Sequence, residues 1–207
     1  MYKMKKNILR YLTFLMGILI MTLGVSLTVK SGLGAGSYDS INFAIAYIFH
    51  INVSIGIYAT ALLIVFITAF IRKSRPRFQT FIPSVIMGIT TDIWVRVIKT
   101  IPTDILYMRI FIFIAGALMV SLGIAMYMTP KLPTNPTDDL MVALTEKKFS
   151  ITKSKLGIDI LCFVIAFILK GPIGVGTVIL TLAIGPTVDI FYHGIDAVLK
   201  NFQVEVA

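Results

Sequence analysis

The chain is short of charge, of cysteine and of histidine. Only 14% of its 207 residues are Asp, Glu, Lys or Arg, whereas soluble domains carry about 25%. So few charges cannot cover the surface of a water-soluble domain, and a hydrophobic content of 57% excludes an intrinsically disordered chain. The single cysteine, Cys162, excludes a disulfide framework and any CxxC metal or redox site.

Signatures of catalysis and of cofactor binding are also missing. The sequence contains no Walker A, HExxH or Gly-x-Ser-x-Gly motif. Its two histidines, His50 and His193, give little support to a serine–histidine protease, and no acidic pair points to an aspartyl protease. We therefore expect that the chain is not an enzyme and that it holds neither a cofactor nor a metal ion.

Long apolar runs are what the chain does have. A helix needs about 20 apolar residues to cross a bilayer, and six stretches approach that length: 8–29, 53–71, 78–98, 105–128, 156–169 with the glycine-rich segment that follows it, and 177–199. Two further helical stretches, 38–50 and 137–147, are too short to cross at about 1.5 Å per residue. The sequence predicts an all-α membrane protein in a lipid bilayer, with six transmembrane helices and two short helices.

The two halves of the chain resemble each other. When the chain is shifted by about 99 residues, FLMGILIMTLG lies over FIAGALMVSLG and Asp39 lies over Asp138. With small gaps, SIGIY lies over KLGID and MGITTDI lies over IGPTVDI, which places Asp92 on Asp189. We expect one integrated membrane domain built from two three-span repeats, 1–100 and 101–207, each with one short helix.

The distribution of positive charge predicts the orientation of the halves. With six spans and cytoplasmic termini, most of the 19 lysines and arginines lie in cytoplasmic segments, as the positive-inside rule requires. If the short helices also crossed, the bias would be weaker. Three crossings per half give the repeats opposite orientations, an architecture that recurs in secondary transporters. The basic surplus is then a signal of topology, and we expect no nucleic-acid partner.

A polar loop precedes each short helix. In KSGLGAGSYDS, Ser37 or Asp39 can cap the helix, and in TPKLPTNPTDD the cap is Asn135 or Thr137. The short helices are either re-entrant, with their N-termini near the bilayer centre, or flat in the interface. If they are re-entrant, their dipoles favour an anion, whereas Asp39, Asp138 and Asp139 in the first turns favour a cation, a proton or a polar headgroup.

Ionisable residues inside spans are costly and mark functional sites by default. Asp92 and Asp189 occupy matching places in the repeat, and either could instead pair locally, with Arg96 and His193 respectively. We expect binding residues for substrate or ion among the polar residues of the loops and spans: Ser37, Asp39, Asp92, Asn135, Asp138, Asp139 and Asp189.

Glycine and proline predict packing contacts and kinks. Gly17 and Gly24 are seven residues apart, as are Gly116 and Gly123, so each pair lies on one helical face where helices can approach closely. We expect kinks one turn before the two aspartates, at these positions: Pro83, Gly88, Gly185 and Pro186.

Taken together, the glycine-rich first span, the GLGAGSYDS loop and the GITTD segment resemble the bacterial YczE/YyaS/YitT family. The resemblance covers roughly residues 8–197. It implies a small multi-pass protein of a prokaryotic cell membrane, and it implies no substrate.

Two functions remain open at this point. The first is a small secondary transporter that moves a small solute, an ion or a lipid headgroup by alternating access at the repeat interface. The second is a membrane scaffold or regulator that binds a partner through basic cytoplasmic loops. A bundle this small is also compatible with a homodimer.

Overall fold

Eight α-helices and two short 3-10 helices, Phe78–Thr80 and Ile98–Thr100, make up the secondary structure of the part of the chain that the computed structural model describes. It describes the backbone of residues 2–201 and the side chains of residues 7–150 and 153–198. The termini, and the basic side chains of Lys3, Lys5, Lys6 and Lys200, lie outside these ranges. The helices are α1 (Tyr2–Ser31), α2 (Ser37–Phe49), α3 (Val53–Arg72), α4 (Phe81–Val97), α5 (Leu106–Met128), α6 (Pro136–Glu146), α7 (Ile151–Ile168) and α8 (Val175–Asn201).

Five stretches of helix are long and apolar enough to cross a membrane. They are Asn7–Ser31, Val53–Arg72, Phe78–Thr100, Leu106–Met128 and Val175–Val198. The helix α7 has 18 residues, but Lys153, Lys155 and Asp159 occupy its first half and leave a shorter apolar part. The sixth span therefore stays a prediction, while the described residues are all-helical as expected and are compatible with a membrane protein.

Two of the apolar helices, α1 and α5, touch through their backbones. A Cβ built on Gly17 would lie 2.5 Å from the Tyr127 nitrogen, and one on Gly24 would lie 2.6 Å from the Gly116 oxygen. Gly123 is equally close to the backbone of α1, with the Met21 nitrogen 2.4 Å from such a Cβ. The glycines that the sequence places on one face of each helix thus meet across this contact, where a side chain has no room.

Contacts at both ends show that α1 and α5 run antiparallel. Near the start of α1, the Arg10 guanidinium donates a hydrogen bond to the Pro130 carbonyl oxygen just after α5, at 2.7 Å. At the other end, Arg109 near the start of α5 donates to the carbonyl oxygens of Ser31 and Gly32. Arg109 thereby satisfies carbonyl groups that the last turn of α1 leaves without intrahelical donors.

The remaining helices pack around this central pair. α4 lies against α1, where the Trp94 indole donates to the Leu19 carbonyl oxygen at 3.1 Å, and α8 lies against α5. α3 packs against α4. The short helix α2 contacts α3 and α7, and the short helix α6 contacts the same two helices.

Two loops meet at the end of the bundle where α1 finishes. The Ala35 N–H donates to the Pro172 carbonyl oxygen at 3.0 Å, and the Gly176 N–H donates to the Leu33 carbonyl oxygen at 2.8 Å. Gly34 has a φ of +122°, and a Cβ there would lie 2.6 Å from the Thr177 hydroxyl oxygen. Glycine at this position therefore permits both the backbone turn and the close approach.

Two local expectations are wrong. Gly36 occupies the N-cap position of α2 and no side chain caps the helix, so neither Ser37 nor Asp39 has that role. Pro83 lies in the first turn of α4, where a missing N–H costs no helical hydrogen bond, so it is not an interior kink. Pro186 does lie inside α8.

The glycine contact predicts a difference between glycine sites. Gly24→Ala forces a Cβ against the α5 backbone and should destabilise the protein by about 1–3 kcal/mol. Gly157→Ala is the matched control, because a Cβ there meets nothing within 4 Å and alanine favours a helix over glycine. Thermal denaturation of the purified variants in detergent measures both. Equal melting temperatures for the two variants would contradict the backbone contact.

Candidate functional site

A cavity of about 300 Å³ lies between the two halves of the chain. The middle turns of α1 and α5 form its apolar walls, with Met21 and Val25 on one side and Val120 and Ile124 on the other. The first turns of α2 and α6 also line it, as do parts of α3, α4, α7 and α8. Every helix of the bundle thus contributes to one internal space.

The start of α2 is held beside the middle of α3. The hydroxyl groups of Tyr38 and Thr60 share a hydrogen bond of 3.0 Å, and Thr60 donates to the Asn42 side-chain oxygen at 2.6 Å. Thr60 is two turns into α3, whereas the chain enters α3 directly after α2 ends. α2 therefore runs back along the first half of α3, and its N-terminus is the part that reaches the cavity.

Asp39 lines the cavity from the first turn of α2, outside the five apolar spans. Within the described residues, no basic side chain forms an ion pair with it. Burial raises the pKa of the Asp39 carboxyl to about 7, because a poorly hydrated site disfavours the charged form. The group can therefore gain or lose a proton near neutral pH.

The second short helix brings a matching set of groups to the same cavity. Asn135 is the N-cap residue of α6, although its side chain accepts no capping hydrogen bond. Asp138 lines the cavity and accepts a hydrogen bond from the Tyr127 hydroxyl. Burial raises the pKa of Asp138, which also lies outside the five apolar spans, and the hydrogen bond from Tyr127 opposes that rise.

A lysine and a third carboxylate reach the cavity from α7. Lys155 and Asp159 form an ion pair of 3.3 Å one helical turn apart, and both residues line the cavity. The side chain of Lys155 is also half exposed, so the cavity meets the protein surface at this point.

Two residues of the cavity wall each carry a buried oxygen atom that has no hydrogen-bond partner. The two atoms are Oγ of Ser84 in α4 and Oδ1 of Asn135. Ser84 is 1% exposed, so bulk water does not supply the missing bond. A buried polar atom without a partner is costly, and both atoms could accept a hydrogen bond from a bound molecule.

Three of the predicted binding residues lie elsewhere. Asp92 accepts a hydrogen bond from the Ser54 N–H at the start of α3, at 3.1 Å, and the described residues show no Asp92–Arg96 ion pair. Asp189 pairs with His193 at 3.5 Å, as the local alternative predicts, with 73% of its side chain exposed. Neither residue lines the cavity.

Asp139 belongs to an ion-pair cluster at the end of α3. The Arg72 guanidinium donates to both carboxylate oxygens of Asp139, each at 2.7 Å, and to Glu146 at 2.9 Å. Arg77 approaches the same carboxylate at 3.6 Å. Arg72 is almost fully enclosed, with 4% of its side chain exposed. Asp139 therefore anchors α6 to α3 and is not a cavity residue.

The cavity includes residues that sequence reasoning missed. Ser37 lines it as predicted, and Gly185 lines it while its partner in the repeat, Gly88, packs against the Tyr58 ring. Lys155, Asp159, Ser84 and Tyr127 were not predicted. Asp159 did carry a signal in the sequence, because it directly follows Ile158, which the repeat alignment places on the cavity residue Ile57.

Comparison with known proteins identifies the relatives of this chain. Residues 8–193 match a family model described as "Family of unknown function (DUF6198)". The chain is 31% identical over 179 residues to "Uncharacterized protein YyaS" of Bacillus subtilis, covering 86% of this chain and 89% of that protein. It is 25% identical over 181 residues to "Uncharacterized membrane protein YczE" of the same species, covering 86% and 83%.

A third relative comes from Haemophilus influenzae. This "Uncharacterized protein" is 29% identical over 183 residues, covering 86% of the chain and 81% of the relative. No solved structure matches the chain.

The Arg72 cluster predicts a difference between its two acids. Asp139→Asn leaves a buried guanidinium without its main counter-charge and should cost about 3–5 kcal/mol of stability. Glu146→Gln is the matched control, because Glu146 is solvent-exposed, and it should stay close to wild type. Thermal denaturation in detergent distinguishes the variants. An Asp139→Asn protein as stable as Glu146→Gln would contradict the anchoring role.

Proposed function

We propose that this chain, which belongs to the YczE/YyaS family of membrane proteins, is a small secondary transporter of the prokaryotic cell membrane. It has six spans, cytoplasmic termini and two inverted halves that expose the cavity to one side of the membrane at a time. The observation that carries the proposal is the cavity itself, because both halves line it with matching residues.

The helix directions support inverted halves. The sequence repeat makes α1 the counterpart of α5, and these two helices run antiparallel. The packing follows the same relation: α1 with α4 corresponds to α5 with α8, and α2 with α7 corresponds to α6 with α3. Exchanging the halves therefore reproduces most helix contacts, as a two-fold axis in the membrane plane would.

The cavity lies where such an axis would pass. Residues that the sequence repeat places on one another line it together, among them Asp39 with Asp138, Val25 with Ile124, and Met87 with Ile184. A binding site on the axis between inverted repeats can be reached from either face by equivalent motions of the two halves.

The two halves differ at the contact between their last two helices, which is α3–α4 in the first half and α7–α8 in the second. Each of these two contacts is called a seam below. Between α3 and α4, Gly88 packs against the Tyr58 ring, and the Tyr58 hydroxyl donates to the Val85 carbonyl oxygen at 3.1 Å. In the part of the chain that the structure describes, α7 and α8 have no such packing, and a Cβ on Gly157 or Gly185 would meet nothing within 4 Å. One seam is closed and its counterpart is open.

This difference supports alternating access. The cavity reaches the surface at the open seam, beside the exposed residues Lys155 and Gly185, while the loops 32–36 and 171–174 close the opposite end. In the second state of the transporter, the α3–α4 seam is open and the α7–α8 seam is closed. Asp92, which now contacts the start of α3 at Ser54, is the counterpart of Asp189, and Ser54 is the counterpart of Lys155. Asp189 then contacts Lys155.

The short helices support a re-entrant arrangement over an interfacial one. Both begin at a cavity lined by the middle turns of α1 and α5, so each descends from its own face toward the bilayer centre. The loop residues next to the short helices are covered by protein, with Gly34 and Ala35 buried and Asn135 half-buried, which is the condition for non-helical backbone at that depth.

Thiol labelling tests the topology. In a Cys162→Ala background, single cysteines at the exposed positions Ser74 and Ser150 should react with a membrane-impermeant reagent only after the membrane is opened. A cysteine at the exposed Asp104 should react in intact cells and serves as the control. Labelling of Ser74 from outside would overturn the inverted arrangement.

Cross-linking tests alternating access without a known substrate. In the Cys162→Ala background, the pair Lys155→Cys and Asp189→Cys should react with a short thiol cross-linker in the fraction of molecules with a closed α7–α8 seam. The pair Ser54→Cys and Asp92→Cys should react in the molecules whose α3–α4 seam is closed. In a protein that carries both pairs, cross-linking of one pair should prevent cross-linking of the other.

The control pair is Leu156→Cys with Ile190→Cys, whose side chains are exposed and lie outside the cavity wall. A scaffold with a single conformation would cross-link at Ser54 and Asp92 alone, and Lys155 with Asp189 would stay at the level of the control. That outcome would refute the transporter proposal.

A further inference from the structure

We propose that the cavity binds a small organic cation that carries N–H donors, such as a primary ammonium or a guanidinium on a short apolar body, and exchanges it for protons. This inference rests on the transport function proposed above and names its substrate class. It stands on the charges, the unpartnered acceptors and the apolar walls of the cavity.

The charge inside the cavity favours a cation. Three carboxylates line it, Asp39, Asp138 and Asp159, against one cation, Lys155, which is already paired with Asp159. Asp39 faces the space with no basic partner among the described residues. Asp138 forms no ion pair there, although burial raises its pKa and the nearby Lys155 opposes that rise. The N-termini of α2 and α6 supply only partial positive charge, and it falls on these two carboxylates. An anionic substrate would meet more acidic than basic side chains.

Two neutral polar residues of the cavity have oxygen atoms that receive no hydrogen bond from a protein donor. Ser84 and Asn135 line the space, and Oγ of Ser84 and Oδ1 of Asn135 are buried and accept no hydrogen bond. Both can accept from an N–H group, and the carboxylates of Asp39 and Asp138 can do the same. An ammonium has three donors and a guanidinium has more, so either would satisfy several of these oxygens at once. A quaternary ammonium, which has no N–H, would leave them unsatisfied.

The walls favour an organic ion over a metal ion. Methionine and aliphatic side chains surround the polar groups, among them Met21, Val25, Met87 and Ile124. In the described chain, no three His, Cys, Asp or Glu side chains are grouped so that they could hold a metal ion. The volume of about 300 Å³ accommodates a short alkyl chain beside the cationic head.

Exchange for protons follows from the same carboxylates. A cation binds the ionised form of Asp39, and protonation removes that form, so binding a cation releases a proton and releasing the cation takes one up. Because the pKa of Asp39 is raised to about 7, both forms exist at neutral pH. The affinity for the cation should therefore be at its maximum above that pKa, and it should fall about tenfold per pH unit below that pKa.

Other titratable groups lie near Asp39 in the cavity region. Tyr38 precedes it on α2, Cys162 and the Lys155–Asp159 pair come from α7, and Asp138 comes from α6 with Tyr127 of α5 bonded to it. Within the described residues, α1, α3, α4 and α8 bring no charged group to the cavity wall. Asp39 and Asp138 are thus the cavity carboxylates that form no ion pair with a basic side chain of the described residues, and Asp39 is the one whose pKa no basic group lowers.

Calorimetry with n-butylguanidinium tests the inference on the full chain in lipid nanodiscs. Titration at pH 8, 7 and 6 in two buffers of different ionisation enthalpy measures affinity and proton release together. We expect saturable binding that weakens toward pH 6 and a released proton in the acidic range. The neutral probe n-butanol should bind at least tenfold more weakly.

Variants assign the effect to the cavity. Asp39→Asn should abolish the proton release and its pH dependence, and Asp39→Glu should restore both with a shifted midpoint. Ser84→Ala should weaken binding about tenfold, as expected for one buried hydrogen bond, and leave the proton release unchanged. Asp104→Asn, an exposed loop carboxylate outside the cavity, should match wild type in every respect.

Other outcomes would overturn the inference. Equal affinity for n-butanol, binding of n-butylguanidinium without proton release, or preferential binding of n-butyrate would each refute cation–proton exchange. If n-butyrate binds and the Lys155–Asp189 pair still cross-links, the substrate class is wrong and the transporter stands. If that pair never cross-links, transport itself is wrong, whichever probe binds.

Discussion

Direct contact between the backbones of α1 and α5 is the constraint on which the rest of the structure depends. Lipid gives helices no hydrophobic reason to associate, so close packing of small residues must hold them together. Gly17 and Gly24 meet the backbone of α5 near Gly123 and Gly116, and this contact fixes the antiparallel crossing of the two helices. The cavity lies beside that crossing, because Met21 and Val25 belong to the same turns as the glycines.

Three of the aspartates lie where protein surrounds them. Asp39 and Asp138 face an internal space, and Asp139 is neutralised by Arg72. Asp189 differs from them, because its side chain lies on an open face of α8 with His193 as its neighbour. A carboxylate in that position is poorly suited to hydrocarbon, which is a reason to expect a second arrangement of α7 and α8 in which it is covered.

The sequence predicts the helices better than it predicts the site. Apolar runs and loop residues locate the eight α-helices to within a few residues, except that α1 and α7 begin earlier than expected. The family resemblance to YyaS and YczE is confirmed. Asp39 and Asp138 follow from the repeat, and the structure brings both to the cavity. The repeat also singles out Asp92 and Asp189, but a position along a helix does not give its rotation about the helix axis. Asp159 was missed because the repeat places the uncharged Tyr58 at its position, so no matched pair of carboxylates singled it out.

The contact between the loops 32–36 and 171–174 also has a consequence for biosynthesis. Leu33 accepts its hydrogen bond from Gly176, and Ala35 donates to Pro172, so the loop before α2 finds its partners only in the last quarter of the chain. Until that part has been synthesised and inserted, the first half lacks the α7 and α8 walls around Asp39. The nascent protein must therefore keep an acidic, half-finished segment away from lipid, and an insertion factor or chaperone that shields polar groups in the membrane would meet that need.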